Sequence, residues 1–389
     1  MTTYASLPVA FERGEGAYLY DQEGKKYLDA VGGIAVCSLG HAHPAISKTI
    51  CEQSSRLIHT SNLYQIPLQQ KLADKLTTLS SMEKVFFGNS GAEANEAALK
   101  IARLFGHQNN ISDPIVIVTE NSFHGRTMAT LSATGNKKIQ AGFEPLVSGF
   151  VRVPFNDISA IQKIASENKN VVAIMLEPIQ GEGGVNIPDK NYLDNIRKIC
   201  DEHNWLMILD EIQTGIGRTG KWFAYMHSNI KPDVMTLAKA LGNGFPIGAC
   251  LVRDKASDIL TPGTHGSTYG GNPLACATAL TVLETFEDTS LVSMAAKKGN
   301  TLQESLTSEL ASIPEVKQIR GVGLIIGVEL DRPCVELVHM ALSEGVLINV
   351  TAGNVIRLLP PLVFSDEQIH QLCTTLKKII KAFVAKDAT

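Results

Sequence analysis

The feature that most constrains the fold of this chain is an alternation, through its middle, of short apolar runs and stretches of helical period. Most of the runs are rich in β-branched residues and apolar on both faces, as buried parallel strands must be. They predict strands at Val85–Gly88, Ile115–Thr119, Val171–Glu177, Leu206–Asp210, Val234–Ala238 and Ile247–Val252. Between them, Ala92–Phe105 and Tyr192–His203 repeat apolar residues at helical spacing. This rhythm predicts an α/β fold with a mainly parallel sheet.

The pattern changes after residue 275. A long helical stretch there precedes a strand predicted at Val322–Glu329, a helix at Val335–Leu342 and a final amphipathic helix from Asp366. We interpret this part as a smaller α+β domain. The predicted organisation is a segment 1–50 that joins the small domain, a large α/β domain over 51–275, and the small domain over 276–389. Because no linker or repeat separates them, these parts should pack together.

The charges of the chain argue against several classes of partner. Its 35 Lys and Arg residues against 39 Asp and Glu leave a net charge of −4, and no block of like charge stands out. Nothing therefore favours nucleic acid or an anionic membrane as a partner. No apolar run approaches the ~18 residues of a membrane span and the first residues do not resemble a signal peptide, so a cytoplasmic location is expected. Seven cysteines without a C-x-x-C pair indicate reduced thiols.

Two charged residues lie directly at the ends of predicted strands. Asp210 ends one of them, and in open α/β sheets ligands bind outside the carboxyl ends of the strands. Lys239 follows the strand Val234–Ala238, and a desolvated lysine amine forms a Schiff base with a carbonyl such as pyridoxal. Taken singly, either residue could instead be a solvated strand-end side chain, and Asp210 could be a helix cap.

The turn Gly88–Ala92 joins a predicted strand to a predicted helix. The free N–H groups and the positive dipole end of a helix start suit a phosphate, and a glycine lets it approach. The alternative is ordinary N-capping by Asn89 or Ser90. In combination with Asp210 and Lys239, the turn favours a pyridoxal phosphate site. Asp210 would keep the pyridine nitrogen protonated, while Lys239 would hold the cofactor and shuttle a proton.

As a set, the motifs of the chain resemble those of the class III, or ornithine-type, aminotransferases of pyridoxal-phosphate-dependent transferase fold type I. They span nearly the whole chain: YLYDQEGKKYLDAVGGIAVCSLGHAHP, NSGAEANEAALK, SFHGRT, EPIQGEGG, LDEIQTGIGRTG, TLAKALGNGFPIGA, HGSTYGGNP and RLLPPL. The resemblance implies a pyridoxal 5'-phosphate enzyme that forms a homodimer with active sites at the subunit interface. The cofactor-binding residues that it implies are Ser90, Gly91, Ala92, Phe123, Asp210, Glu211, Gln213, Lys239 and Thr268.

The resemblance also implies individual roles for these residues. Gly91 and Ala92 would bind the phosphate through their amides, and Phe123 would stack on the pyridine ring. Gln213 would reach the phenolic oxygen of the cofactor. Thr268 would reach the phosphate held by the partner subunit, which implies an obligate dimer. Taken singly, Phe123 could be a core aromatic, Gln213 a surface amide and Thr268 a turn residue.

Two arginines and a glutamate point to the substrates, because arginine binds a carboxylate bidentately. Arg126 in SFHGRT resembles the residue that holds the far carboxylate of an ornithine-like donor. Arg357 in RLLPPL resembles the one that holds the α-carboxylate of glutamate or 2-oxoglutarate. Glu182 in EPIQGEGG resembles the glutamate that pairs with this second arginine when the donor presents a terminal amine. The alternatives are structural ion pairs and a solvated loop glutamate.

For the donor, GGIAVCSLGHAHP and FHGRT look most like the acetylornithine branch of the family. Ile34 falls where ornithine aminotransferases carry a tyrosine that recognises the free α-amino group, and an apolar residue suits an acylated nitrogen. Ser267 resembles a residue near bound acetylornithine, and Tyr64 lies in a loop shorter than is usual for this branch. The implied substrates are N-acetyl-L-ornithine and 2-oxoglutarate, in arginine biosynthesis. Succinylornithine, succinyl-diaminopimelate, ornithine and 4-aminobutyrate are the alternative donors.

Other kinds of site are less well supported by the sequence. His41 and His43 lack a neighbouring carboxylate or cysteine pair, so no metal site is predicted. The runs GEGG and GIGRTG lack the dinucleotide fingerprint between a strand and a helix. The non-enzyme alternative is an inactive paralogue used as a binding module, which predicts a colourless protein instead of a yellow one.

Overall fold

Three β-sheets organise the chain in the computed structural model, which describes residues 1–386. The strands are β1 (Phe11–Glu15), β2 (Tyr18–Asp21), β3 (Lys26–Asp29), β4 (Lys84–Gly88), β5 (Ile115–Thr119), β6 (Phe150–Val153), β7 (Val171–Leu176), β8 (Leu206–Asp210), β9 (Val234–Leu237), β10 (Gly248–Val252), β11 (Val316–Val322), β12 (Ile325–Leu330), β13 (Val346–Leu347), β14 (Asn349–Thr351) and β15 (Val355–Leu358). The helices are α1 (Gly32–Ala35), α2 (Pro44–Ser54), α3 (Pro67–Ser80), α4 (Gly91–Gln108), α5 (Met128–Ala133), α6 (Lys137–Gln140), α7 (Ile158–Glu167), α8 (Tyr192–Glu202), α9 (Pro273–Asp288), α10 (Leu291–Leu310), α11 (Glu336–Ser343) and α12 (Asp366–Lys386).

The central sheet has seven strands in the order β4-β10-β9-β8-β7-β5-β6. From β9 to β6 every neighbouring pair is parallel, and only β10 runs antiparallel to both of its neighbours. Strands β7, β8, β9 and β10 are buried along their whole length. The expected α/β class with a mainly parallel sheet is therefore confirmed.

The predicted strands of this sheet agree with the structure to within one residue at either end, and both predicted helices are present as α4 and α8. The strand predicted over Val322–Glu329 is present as β12, but it begins at Ile325 instead of Val322, because β11 and β12 form a hairpin there. The chain turns at Gly323, where φ is 57° and a Cβ atom would lie 2.5 Å from the carbonyl carbon of Thr219. Only glycine suits this left-handed position so close to another backbone.

The two smaller sheets lie in the terminal parts of the chain. One has the order β1-β2-β3-β13, in which Leu28 of β3 pairs in parallel with Val346 of β13. The other has the order β11-β12-β15-β14. The first of these sheets joins the N-terminal segment to the C-terminal part. The boundaries 1–50, 51–275 and 276–389 stay predictions, and residues 387–389 lie outside the described residues.

Arg218 connects three distant segments in the interior. Its guanidinium is buried and donates hydrogen bonds to the carbonyl oxygens of Leu324 (2.9 Å) and Pro360 (2.5 Å) and to the hydroxyl of Ser38 (3.1 Å). Burial lowers the pKa of Arg218 to about 9. Because these acceptors are neutral, hydrogen bonds alone compensate the desolvation of the cation.

All seven cysteines are free thiols and five of them are buried, in agreement with the sequence analysis. Among residues 1–386, no helix combines the length and the apolar character needed to cross a bilayer.

Candidate active site

A cavity of about 400 Å³ opens at the carboxyl end of the central sheet. It brings together eight of the predicted site residues, Ser90, Gly91, Ala92, Phe123, Arg126, Asp210, Gln213 and Lys239. Ligands of open α/β sheets bind at this edge, because the loops that follow neighbouring parallel strands converge there.

One end of the cavity is formed by the first turn of helix α4. Ser90 is the N-cap and accepts a hydrogen bond from the backbone N–H of Glu93 (3.2 Å). The first helical hydrogen bond runs from Ala94 N to Ser90 O, so the helix gives the N–H groups of Gly91 and Ala92 no acceptor. These amides and the helix dipole can therefore bind an anion.

Gly91 lies close to the side chain of Ile212. A Cβ atom at this position would lie 2.7 Å from Cδ1 of Ile212, which itself lines the cavity. The acidic side chain in the same turn faces away, because Glu93 accepts hydrogen bonds from the backbone N (2.6 Å) and side-chain Nδ2 (3.0 Å) of Asn89. The turn therefore keeps its positive character towards the cavity.

Asp210 is held by a buried hydrogen-bond network. One carboxylate oxygen accepts from Asn95 Nδ2 (2.8 Å) and lies 2.8 Å from His124 Nδ1, while the other accepts from the backbone N of Ile212 (3.1 Å). An ionised carboxylate can only accept, so His124 Nδ1 carries the proton in that state. Thr236 in turn donates to Asn95 Oδ1 (2.7 Å). The carboxylate is thus fixed in direction by its donors.

Lys239 begins the loop that follows strand β9. Its φ of 45° lies in the left-handed region, a strained conformation that is found mostly at functional sites. Burial, assisted by the nearby charge of Arg357, lowers the pKa of Lys239 to about 8. At pH 7 about a tenth of this amine is therefore neutral, and hence nucleophilic, compared with less than about a thousandth of an ordinary lysine amine.

The loop that carries Lys239 is anchored to the N-terminal segment. Asn243 Oδ1 accepts from the backbone N of Leu39 (2.8 Å), and Asn243 Nδ2 donates to the carbonyl of Gly40 (3.2 Å). Val36, from the same segment, lines the cavity. The N-terminal residues therefore help to build the site.

Beside the cavity, Arg357 and Glu182 form an ion pair, with 2.6 Å between Nη1 and Oε1. Arg357 is buried, whereas the side chain of Glu182 is 35% exposed. Gln213 Oε1 also lies 3.4 Å from Arg357 Nη1, so the pair adjoins the cavity wall. The more exposed glutamate is the partner that can move away and leave the arginine to another carboxylate.

The opposite side of the cavity is lined by Phe123 and Arg126, whose guanidinium carbon lies 5.8 Å from the Phe123 ring centroid. Arg126 is exposed and has no acidic partner among residues 1–386. Glu177 also lines the cavity and accepts hydrogen bonds from the backbone N–H groups of Phe123 (2.9 Å) and Gly181 (3.1 Å). Burial raises the pKa of Glu177 to about 7.

Several predicted site residues do not line this cavity. The buried carboxylate of Glu211 faces the other way and accepts from Thr214 (2.6 Å) and from the backbone N of Ala224 and Tyr225 (2.8 Å each). Burial raises its pKa to about 7. These hydrogen bonds show that Glu211 stabilises the loop that follows β8. Its direct contact with a cofactor stays a prediction.

Ser267, Thr268 and Tyr64 lie in two loops that pack together. Asn62 Nδ2 donates to the carbonyl of Ser267 (3.1 Å), and Ser267 Oγ lies 3.3 Å from Asn89 Nδ2 at the cavity. Thr268 is exposed and Tyr64 is 69% exposed. Neither lines the cavity of its own chain.

Ile34 lies in the turn α1, where residues 32–35 all have φ between 56° and 66°. The turn is held by Asp29, which accepts from the backbone N of Val31 and Gly32 (2.9 Å each) and pairs with His41 Nε2 (2.8 Å). Although burial lowers the pKa of His41, the bond to Asp29 raises it to about 9. This pairing accounts for His41 without a metal, and no cluster of potential metal ligands is found within residues 1–386.

Sequence reasoning missed three polar residues of the site. Asn95 is a buried amide inside an apolar helix face, and His124 is adjacent to Phe123 in the same motif. Glu177 ends a predicted strand just as Asp210 does. Each gave a signal that could have been used, namely a polar residue at a buried position beside a predicted site residue.

The arrangement fits pyridoxal phosphate. The free amides of Gly91 and Ala92 at the N-terminus of α4 suit the phosphate, and Gly91 has no side chain to obstruct it. The fixed carboxylate of Asp210 suits a protonated pyridine nitrogen, and the amine of Lys239 suits the carbonyl carbon. The individual residue roles stay predictions.

Comparison with known proteins places this chain in context. The family described as aminotransferase class-III matches residues 2–380. The chain is 56% identical to the acetylornithine aminotransferase of Nitrosomonas europaea, over 99% of this chain and 98% of that protein. Among solved structures, it is similar to ornithine aminotransferase from Toxoplasma gondii (TM-score 0.95, 36% identity, 99% of this chain and 93% of that one). It is also similar to acetylornithine aminotransferase from Elizabethkingia anophelis (TM-score 0.89, 37% identity, 98% and 96%).

Proposed function

This chain belongs to the class-III aminotransferases, which are pyridoxal 5'-phosphate enzymes, and we propose that it transfers the terminal amino group of N-acetyl-L-ornithine to 2-oxoglutarate. The products are N-acetylglutamate 5-semialdehyde and L-glutamate. The single observation that carries the proposal is the ion pair of Arg357 and Glu182 beside Lys239.

That ion pair suits an enzyme that accepts two different substrates in turn. A donor with a terminal amine brings no carboxylate to Arg357, and Glu182 then keeps this buried cation neutralised. When 2-oxoglutarate binds, its α-carboxylate replaces Glu182 in a charge-assisted contact with the guanidinium. The exposed Arg126 is the residue proposed to bind the carboxylate at the other end of each substrate.

The bound cofactor supplies an electron sink for the carbon–hydrogen bond that breaks beside the transferred nitrogen. Lys239 Nζ, whose pKa is lowered to about 8, is the base that takes the proton from that carbon and returns it. Asp210 would hold the ring nitrogen, and the amides of Gly91 and Ala92 would hold the phosphate. Phe123 and Gln213 would contact the ring and its phenolic oxygen.

The choice of acetylornithine as donor rests on sequence more than on shape. The relative that is 56% identical is named acetylornithine aminotransferase, whereas the solved structure with a TM-score of 0.95 is named ornithine aminotransferase. Ornithine is therefore the second candidate donor. Ile34, which has no polar group for a free α-amino group, favours the acylated one.

The decisive assay compares the two donors, each supplied with 2-oxoglutarate. We expect kcat/KM for N-acetylornithine to exceed that for ornithine by at least about tenfold. Faster turnover of free ornithine would contradict the proposed donor, and a colourless protein that turns over neither would contradict the proposed activity.

The proposed enzyme is a homodimer whose sites lie at the subunit interface. The loops around Tyr64 and Thr268 expose large apolar side chains that a second subunit can cover, namely Leu57, Ile58, Leu63, Tyr64 and Tyr269. Thr268 is exposed on this surface and does not line the cavity of its own chain. Both observations support a role for Thr268 in the partner's site.

A further inference from the structure

Asn349 and Arg357 face each other across two antiparallel strands. They are Cα partners in the pairing of β14 with β15. Asn349 Oδ1 accepts hydrogen bonds from Arg357 Nε (3.1 Å) and Nη2 (2.7 Å). One amide oxygen therefore occupies the whole Nε side of the guanidinium.

A guanidinium presents its donors along two edges, either of which can bind a carboxylate with two parallel hydrogen bonds. Asn349 fills the edge formed by Nε and Nη2, whereas Glu182 contacts Arg357 at Nη1. An incoming carboxylate consequently has only the Nη1 edge available, and it meets Glu182 there.

We propose that Asn349 is a positioning residue for Arg357. It holds the guanidinium so that the carboxylate of Glu182 and the carboxylate of a 2-oxo-acid compete for the Nη1 edge. This inference rests on the proposed function, in which Arg357 binds the α-carboxylate. Asn349 is neutral, so it orients Arg357 without cancelling the charge that attracts the substrate.

The same small sheet also fixes the backbone around Glu182. The hydroxyl of Thr351 donates to the carbonyl of Glu182, and Arg320 donates to the carbonyls of Gly184 (2.6 Å) and Val185 (2.9 Å). Val185 is buried and has a φ of 54°, a strained value for a β-branched residue that the surrounding contacts must impose. Because these hydrogen bonds fix the backbone, only a rotation of the Glu182 side chain is needed for a substrate carboxylate to replace Glu182 at Arg357.

The test is calorimetric titration of the cofactor-loaded enzyme with glutarate, a dicarboxylate that lacks the reactive carbonyl. Asn349→Ala should weaken glutarate binding by about tenfold or more, the effect of losing a hydrogen bond to a charged group. Asn349→Asp should also weaken it, because an added anion on the Nε edge reduces the attraction of Arg357 for a second one. Asn354→Ala is the matched control: Asn354 bonds the carbonyl of Leu330 (2.9 Å) in the same small sheet, and its replacement should change the affinity by less than about twofold.

Separate half-reactions, followed through the absorbance of the bound cofactor, give the second readout. Both Asn349 variants should slow the 2-oxoglutarate half-reaction at low substrate concentration while leaving the N-acetylornithine half-reaction within about threefold of the wild type. A merely structural role would impair the two alike, and that result overturns the inference.

Arg357→Ala separates this inference from the proposed function. If Arg357→Ala loses glutarate affinity and Asn349→Ala does not, the positioning role of Asn349 is wrong and the proposed function stands. If Arg357→Ala binds glutarate like the wild type, the proposed role of Arg357 is itself wrong. Should Asn349→Ala fail to fold, wild-type glutarate affinity in Asn349→Asp overturns the inference instead.

Discussion

The carboxylate of Asp210 lies 2.8 Å from Nδ1 of His124, and both side chains are buried. Asn95 donates to the same carboxylate oxygen. These donors fix the direction of the Asp210 carboxylate, which is proposed to pair with a protonated pyridine nitrogen. His124 would then act on the cofactor through Asp210, as a positioning residue.

Removal of the His124 donor should leave the Asp210 carboxylate less firmly oriented. His124→Phe keeps an aromatic ring of similar size but loses the bond to Asp210, so we expect turnover to fall by about ten- to a hundredfold. The cofactor absorbance of the purified variant should also change, because the ring nitrogen loses part of its counter-charge. His124→Asn, which restores a donor, should recover part of the loss. His107→Phe, on the exposed end of α4, is the control and should behave like the wild type.

The lowered pKa of Lys239 predicts a pH dependence for cofactor capture. The neutral amine is the reactive form, and its fraction rises as the pH passes through about 8 instead of the value of about 10.4 for an ordinary lysine. Cofactor-free protein should therefore bind pyridoxal phosphate faster as the pH is raised, with a midpoint near 8. Borohydride trapping and peptide mapping over a pH series measure this at Lys239. The variant Lys239→Ala should show no label there, and a midpoint near that of an exposed lysine would contradict the prediction.

Arg357→Ala should affect the two half-reactions unequally. The 2-oxoglutarate half-reaction should slow by about a hundredfold at low substrate concentration, because a buried carboxylate contact is lost. The N-acetylornithine half-reaction, which does not use this arginine, should change much less. Single-turnover measurements of cofactor absorbance separate the two. Equal losses in both half-reactions would contradict the proposal that Arg357 binds the α-carboxylate of 2-oxoglutarate. Arg126→Ala provides the comparison, because it should impair the N-acetylornithine half-reaction.

Ile34→Tyr should shift the preference between donors. A phenol at this position gives a free α-amino group a hydrogen-bond partner and crowds an acyl group, so kcat/KM for N-acetylornithine relative to ornithine should fall by about tenfold. The left-handed φ of 66° is no worse for tyrosine than for β-branched isoleucine, so the variant should fold. Thermal unfolding checks that its stability is retained. An unchanged ratio of the two kcat/KM values would show that residues other than Ile34 determine the preference between donors.

Subunit complementation tests the role of Thr268. Lys239→Ala has no reactive amine, and Thr268→Ala should bind the cofactor weakly. In a mixed dimer, an intact Lys239 then meets the intact Thr268 of the other subunit in one of the two sites. Coexpression should therefore give more activity than either parent variant. If Thr268 serves its own chain, mixing brings no recovery.

The sequence predicts a site residue when the role of that residue depends on its neighbours along the chain. Residues such as Ser90, Gly91 and Lys239 lie at junctions between a strand and a following turn or helix, and the chemistry of such a junction can be predicted from a few neighbouring residues. Asn349 could not be found in this way, because its role exists only through its pairing with Arg357 across a hairpin. Its sequence neighbourhood is an ordinary short strand.

The same distinction explains why strand β12 was predicted to begin too early. Val322–Glu329 is a nearly unbroken apolar run, so its periodicity alone favours one strand. The reversal at Gly323 is imposed by the backbone of Thr219, which approaches from another part of the chain. No local pattern records that contact, and an isolated glycine is compatible with either a strand or a turn.

The hydrogen bonds of Arg218 have a consequence for synthesis of the protein on the ribosome. Its acceptors belong to Ser38, Leu324 and Pro360, so two of the three emerge long after Arg218 itself. Until then its guanidinium must stay hydrated, since an unpartnered cation cannot be buried in an apolar interior. The nascent chain therefore cannot close this part of its interior before Pro360 has been translated, and folding around Arg218 is delayed until then.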